Sequence, residues 1–137
     1  MTQLSVPRDV EQQAIDMLTE IMHRDTDLQT VKVGTKIPRS SNGKPAGEFI
    51  RIMATTPTRE TIKTTSWLLT VEGWAATESR AQYLLAIATS ILLDSRGLLF
   101  YGEQTGGSGN DPHPDYPLYA RYSTTIHIRS RNKIIEI

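Results

Sequence analysis

The chain has 137 residues, a length that predicts a single domain spanning 1–137 and a core large enough to need no metal or disulfide staples. Fifteen basic and fifteen acidic residues give a formal net charge of zero, which disfavours a whole-surface attraction to nucleic acid or to an anionic membrane. Because the sequence contains no cysteine, it excludes disulfides, thiolate nucleophiles and zinc–thiolate or iron–sulfur sites.

A helix is predicted over 7–24. Ser5 is its expected N-cap, and Pro7 suits a first helical turn. The apolar residues from Val10 to Met22 recur at helical spacing and form one stripe, so this helix should lie on a core.

Four strands are predicted over 31–37, 49–55, 66–75 and 118–130, because apolar and polar residues alternate in them or apolar residues dominate. The segment 39–47 is rich in turn residues and predicts a hairpin connection. The Thr-rich segment 56–65 predicts a long polar hairpin loop. In the third strand alternate residues point to opposite sides: one side carries Trp67, Leu69, Val71, Gly73 and Ala75, and the other carries Leu68, Thr70, Glu72 and Trp74. Both sides carry large apolar groups, so we expect both to be at least partly covered.

The second predicted helix spans 78–94, with Thr77 as its N-cap. One apolar stripe runs from Ala81 to Leu92, and Tyr83, Ile87 and Ile91 form another. Two stripes predict burial on two sides, either between the sheet and the first helix or against a neighbouring subunit.

An irregular loop is predicted over 102–117, and the apolar tail that ends at Ile137 is expected to have a partner. Because the strands follow one another without repeated crossovers, the expected fold is α+β: a two-layer sandwich with a mostly antiparallel sheet of about four to five strands and two helices on one face.

Candidates for chemistry are few, and we expect neither an enzyme nor a cofactor. His127 is expected to be a half-exposed sheet histidine, and the prolines beside His113 make a metal site there hard to assemble. The sequence contains no phosphate-binding glycine motif and no nucleophile elbow. Arg121, His127 and Arg129 share one face of the last strand, but no nucleic-acid-binding motif accompanies them.

Charge is distributed unevenly along the chain. Residues 1–28 carry six acidic and two basic side chains, whereas residues 29–65 carry seven basic and two acidic ones. An acidic segment (76–117) and a basic one (118–137) follow. This alternation indicates either solvated faces or complementary surfaces that meet between copies of the chain.

The segment from Pro57 to Glu78 is the most distinctive part of the sequence. It contains Val71-Glu72-Gly73-Trp74-Ala75 at a strand end, then Thr77-Glu78 at the start of an Ala/Leu-rich helix. Later in the chain, Asp111-Pro112 precedes a strand with basic residues at its end. These features resemble the tail terminator (tail-to-head joining) proteins of long-tailed bacteriophages, and the order of elements agrees over most of the chain. Gly73 stands where that family usually has a small Ala.

The resemblance implies a structural virion protein in the tail and neck, assembled in the host cytoplasm. Its copies would form a hexameric ring that caps the tail tube and meets a head-neck protein, and DNA would pass through without specific binding. Alternatives are another neck component (head closure or adaptor), or a small soluble binding module or enzyme. Candidate interface residues lie on the 56–65 loop, the second helix and the last strand: Thr58, Arg59, Glu60, Lys63, Tyr83, Ile87, Ile91, Arg121 and Arg129. The loop 102–117 is a further docking candidate.

Overall fold

Two paired strands of twelve residues form the centre of the molecule. The computed structural model describes residues 1–41, 43, 45, 47–55, 57–94, 100–104, 109–116 and 118–137, with only the backbone described at 100–102. In chain order its elements are β1 (Gln3–Val6), α1 (Val10–Met22), β2 (Lys32–Gly34), β3 (Phe49–Ala54), β4 (Thr58–Arg59), β5 (Thr64–Ala75), α2 (Glu78–Asp94), β6 (Phe100–Gln104), β7 (Gly109–Asn110), β8 (Ala120–Arg131) and β9 (Lys133–Glu136).

The main sheet has the order β2-β3-β5-β8-β6, with β4 also paired to β5 and β7 also paired to β8. All of its pairs are antiparallel except β2 with β3. The predicted α+β class with a mostly antiparallel sheet is therefore confirmed. Within the described residues this sheet has seven strands, more than the predicted four to five, because β4, β6 and β7 pair along the long central strands.

The connection between β2 and β3 is not the predicted hairpin. The two strands are parallel, with Lys32 opposite Phe49. Within the connection, Arg39 bridges Pro45 and the Gly43 N–H donates to the Ser40 carbonyl at 2.9 Å, while Gly43 has a φ of 80°. The predicted turn chemistry thus closes a small local turn, and the chain then enters β3 in the same direction as β2.

The first helix is shorter than predicted, since it begins at Val10 and ends at Met22. Asp9 is its N-cap and accepts from the Gln12 N–H at 3.0 Å, so the predicted Ser5 cap is wrong. The reason is tertiary: Ser5 belongs to β1, which pairs with β9.

The second helix has its predicted bounds and N-cap, since the Thr77 hydroxyl accepts from the Arg80 N–H at 3.2 Å. It packs against β5 and β8, while α1 packs against β3. The core between helices and strands includes fully buried Leu18, Leu84 and Ile126. Neither described helix has the length and apolar character that a transmembrane helix requires.

The predicted loop 102–117 is partly wrong. Residues 102–104 continue β6, and Gly109–Asn110 form β7, because both segments pair with β8. Residues 111–116 are irregular as predicted, whereas 105–108 and 117 lie outside the described residues. The chain's tail finds a partner within the same chain: β9 pairs with β1 in a separate two-stranded ribbon.

Candidate functional site

The two loops predicted as docking candidates lie at opposite ends of the β5–β8 pair. This pair runs in continuous register from Thr64 opposite Arg131 to Ala75 opposite Ala120. Residues 60–63 directly precede the first end of β5, and residues 111–119 directly precede the other end of the pair, at β8. At about 3.3 Å per residue, twelve-residue strands separate these ends by roughly 36 Å. We call them the hairpin end and the loop end.

Threonine hydroxyls shape the turn at the hairpin end. The Thr61 hydroxyl accepts from the N–H groups of Lys63 and Thr64 at 3.1 and 3.0 Å. Before the turn, Thr58 and Arg59 pair with β5, and both are exposed, as are Glu60 and Lys63. The Glu60 carboxylate accepts from Arg129 Nε at 3.1 and 3.2 Å, which ties the turn to β8. The predicted loop is therefore a short, braced β-hairpin, and its four candidate interface residues lie together on its surface.

The loop end is built around Trp74, which is fully buried. Its ring stacks on Phe49 with centroids 5.0 Å apart, and His113 lies 5.6 Å from it. Tyr116 approaches edge-on at 6.4 Å, and the Arg121 guanidinium lies 5.6 Å from the Trp74 ring. The loop thus covers this part of the sheet face that points away from the helices, which explains why that side of β5 can carry an indole.

A buried carboxylate lies beneath this aromatic cluster. Glu72 is 6% exposed and accepts from Trp74 Nε1 at 3.2 Å. Arg121 lies 3.5 Å from this carboxylate and 3.1 Å from that of Asp111, and its Nε donates to the Asp111 carbonyl at 2.6 Å. Because the Arg121 side chain is only 14% exposed, its position fits a role in fixing the loop to the sheet better than one as a free surface cation.

A second loop joins the loop end. Arg39 donates to the Tyr116 hydroxyl, and the Tyr119 hydroxyl donates to the Pro45 carbonyl at 3.0 Å. The described residues of the turn near Gly43 and of the loop before β8 therefore form one rim. Sequence reasoning missed this rim, since its contacts join residues more than 70 positions apart. The available signal was the large Trp74, which shares its strand face with Thr70 and Glu72.

Arg80 braces the outer side of the same end. It donates to the Glu48 carboxylate at 2.7 Å and to that of Asp27 at 2.8 Å, which connects the start of α2 with the segments before β2 and β3. Hydrogen bonds to Glu48, and then to Asp27, raise the pKa of Arg80 above its ordinary value. Its guanidinium also lies 5.5 Å from the Tyr83 ring centre, and Tyr83 is 43% exposed.

The second apolar stripe of α2 divides between core and surface. Ile87 and Ile91 are half-buried and pack against the chain's own core, while Tyr83 is the exposed member. The predicted burial of this second stripe is thus only partial within one chain, and Tyr83 offers an accessible ring.

A cleft of about 550 Å³ opens beside the hairpin, and its lining includes Ser66, Leu68, His127 and Arg129. His127 is half-exposed on the polar face, as predicted, and its Nε2 hydrogen-bonds to the Ser66 hydroxyl. A serine–histidine pair performs acyl transfer only with donors for the developing oxyanion. Here both residues lie within paired central strands, whose backbone N–H groups are used in strand pairing. Those N–H groups are therefore not free to bind an oxyanion, and the pair does not support acyl-transfer chemistry.

His113 is held by its own loop. The Asp115 N–H donates to His113 Nδ1 at 3.1 Å, so this nitrogen is an acceptor and is occupied. Among the described residues, no group of three histidine or carboxylate side chains is placed to bind a metal ion.

The sequence was compared with protein-family models and with curated proteins, and neither comparison gives a match.

Proposed function

We propose that this chain is a structural virion protein, a tail terminator subunit whose copies form a ring that caps the tail tube and joins it to the head neck. The observation that carries the proposal is the separation of the hairpin end from the loop end by a rigid strand pair of roughly 36 Å. Copies arranged side by side around a ring would present one of these ends to each axial partner, a tail tube protein and a head-neck protein.

The construction of both ends supports a docking role. The hairpin is held by Glu60 and Arg129, and the loop end is held by Trp74 and Arg121. Preorganised loops lose less conformational entropy on binding, so they form tighter and more specific contacts than flexible ones. Such a ring acts by shape and charge alone, without catalytic turnover or a cofactor.

The passage of DNA through the ring agrees with the pairing of two of the three arginines on β8. Arg121 is paired with Asp111 and Glu72, and Arg129 is paired with Glu60. Paired arginines release fewer counterions on approach of a phosphate backbone, so they hold duplex DNA less strongly. We infer that both arginines face a protein neighbour or a sheet surface away from the channel.

We further infer that each subunit is a two-layer sandwich with both helices on one face. The packing of α1 on β3 and of α2 on β5 and β8 supports this arrangement. The same proposal includes a hexameric state, a position in the tail and neck, assembly in the host cytoplasm and no membrane partner.

Deletion of the gene in the phage, followed by electron microscopy of infected lysates, tests the proposal. We expect over-long tails without attached heads, because nothing would cap the growing tube. Tails of normal length beside tailless heads would instead indicate a head closure or adaptor protein. Normal virions would overturn every virion role and favour a binding module or an enzyme.

Complementation of the deletion then tests the hairpin end. Exposed Lys63 lies at the hairpin tip, and exposed Lys32 lies on the edge strand β2. The variant Lys63→Glu should restore far fewer joined virions than the wild-type gene, while the matched Lys32→Glu variant should restore them fully. Equal rescue by both variants would remove the hairpin from the docking surface.

A further inference from the structure

The two ends of the chain form a projecting ribbon. Strands β1 and β9 pair from Gln3 opposite Glu136 to Val6 opposite Lys133, and two hydrogen bonds of 2.8 Å between Thr2 and Ile137 extend the pairing. Neither strand packs extensively on another described element. Among the described residues, hydrogen bonds tie the ribbon to the body of the chain near its base. There Ser5 hydrogen-bonds to the Ile62 carbonyl, Asn132 donates to the Lys63 carbonyl at 2.7 Å, and the Thr65 hydroxyl donates to the Asn132 side-chain oxygen at 2.5 Å.

This ribbon carries more exposed apolar surface than an isolated element tolerates well. Leu4 is 39% exposed, Ile134 is 63% exposed and Ile137 is 74% exposed, and Ile62 at the base is 70% exposed. A two-stranded ribbon alone is marginally stable in water, and the register places Leu4 and Ile137 on one of its faces and Ile134 on the other, so neither face is wholly polar. The ribbon therefore gains stability when another surface covers it.

The charges of the ribbon indicate what that surface is. Residues 1–8 and 131–137 contain three basic side chains against one acidic. Within the described part of the chain, neither Arg131 nor Lys133 forms an ion pair, and both are exposed. A partner must accordingly offer acidic groups.

The chain itself carries a surface of that chemistry. Between residues 9 and 27 there are six acidic side chains and one basic. On α1, Gln12, Asp16 and Glu20 recur every four residues and are all exposed, so they line the outer side of the helix. In one molecule Lys133 and Asp16 line a groove of about 210 Å³ without an ion pair between them. Asp16 accepts from Gln12 Nε2 at 2.8 Å and Glu20 is paired with Arg24 at 2.8 Å, but both carboxylates are exposed and can exchange these local contacts for the cations of a neighbour.

We propose that the terminal ribbon is an arm that docks on the acidic outer face of α1 in a second copy of the chain. This contact joins two different patches, so repeated side by side it is heterologous and can close into a ring. The inference rests on the self-association in the proposed function and names the surfaces that carry it. The hairpin tip beside the ribbon stays free for an axial partner.

Charge reversal with compensation tests the arm. One variant of the full chain carries Arg131→Glu with Lys133→Glu, a second carries Asp16→Lys with Glu20→Lys, and Lys32→Glu is the matched control. Sedimentation velocity over a concentration series measures association, and circular dichroism checks that each variant is folded. Because each double variant turns two attractive pairs into repulsive ones, we expect about tenfold weaker self-association or more, with no change for the control. An equimolar mixture of the two double variants should co-assemble as tightly as the wild type, because each then meets a complementary surface.

Three results would overturn the arm. They are wild-type association in both double variants, a mixture that fails to co-assemble, and a wild-type chain that is monomeric at every soluble concentration. The same holds if the ribbon variant loses only binding to a duplex DNA fragment, since the ribbon would then contact phosphates. The deletion phenotype separates this inference from the proposed function. If the deletion gives over-long tails but the double variants associate like the wild type, the arm is wrong and the terminator function stands. If the deletion gives normal virions but the mixed double variants co-assemble as expected, the terminator function is wrong and the arm stands.

Discussion

The approach of α2 to β5 at Gly73 leaves no room for a side chain. A Cβ placed on Gly73 would lie 2.7 Å from the carbonyl oxygen of Ala81 and 3.0 Å from the backbone nitrogen of Leu85. Both neighbours are helix backbone, so no rotamer change can relieve the overlap. Substitution of Gly73 by Ala must therefore push the helix away from the central strand.

The cost follows from this geometry. Overpacking a well-filled core costs about 1–3 kcal/mol, and contact with rigid backbone places Gly73→Ala near the upper part of that range, at about 2–3 kcal/mol. With an unfolding entropy of about 2.1 cal/mol/K per residue, this cost lowers the melting temperature of a 137-residue chain by roughly 7–10 °C.

Thermal unfolding followed by circular dichroism measures the effect, and Gly34→Ala is the matched control. Gly34 also lies in a strand, but a Cβ there meets no atom within 4 Å. The control should melt at the wild-type temperature or slightly above it, because alanine reduces the entropy of the unfolded chain. A Gly73→Ala protein as stable as the Gly34→Ala protein would refute the packing argument.

Substitutions at three further positions test the two ends. Arg80→Ala should lower the free energy of unfolding by about 1–2 kcal/mol, and Arg80→Lys by less, since lysine keeps the charge but not the two-sided hydrogen bonding; chemical denaturation measures both. Trp74→Ala should lower the free energy of unfolding by about 3–5 kcal/mol and make 111–116 the first site of limited proteolysis. First cleavage elsewhere would contradict the role of Trp74 in holding this loop. Arg129→Ala should change stability by less than about 1 kcal/mol, because its pair with Glu60 is partly exposed, and under the proposed function it should still reduce joined virions; a large loss of stability would make it a structural residue.

Local sequence determined much of the secondary structure. The second helix has its predicted bounds and its Thr77 cap because capping and apolar spacing act within a few residues. The alternation in β5 and β8 likewise fixed which side chains share a face, since successive strand residues point to opposite sides. The candidate residues of the hairpin, from Thr58 to Lys63, follow from this level, because a polar turn between two strands lies on the surface.

The remaining features depend on partners distant in the sequence. β1 takes Ser5 away from α1 because β9 offers a pairing edge more than 120 positions later, and β6 forms because β8 has a free edge beside it. The parallel entry into β3 and the enclosure of Trp74 by His113 and Tyr116 have the same origin. A propensity or a turn signal acts over a few residues, whereas strand pairing and aromatic stacking are decided by which surfaces remain uncovered after the chain collapses, and only the tertiary structure holds that information.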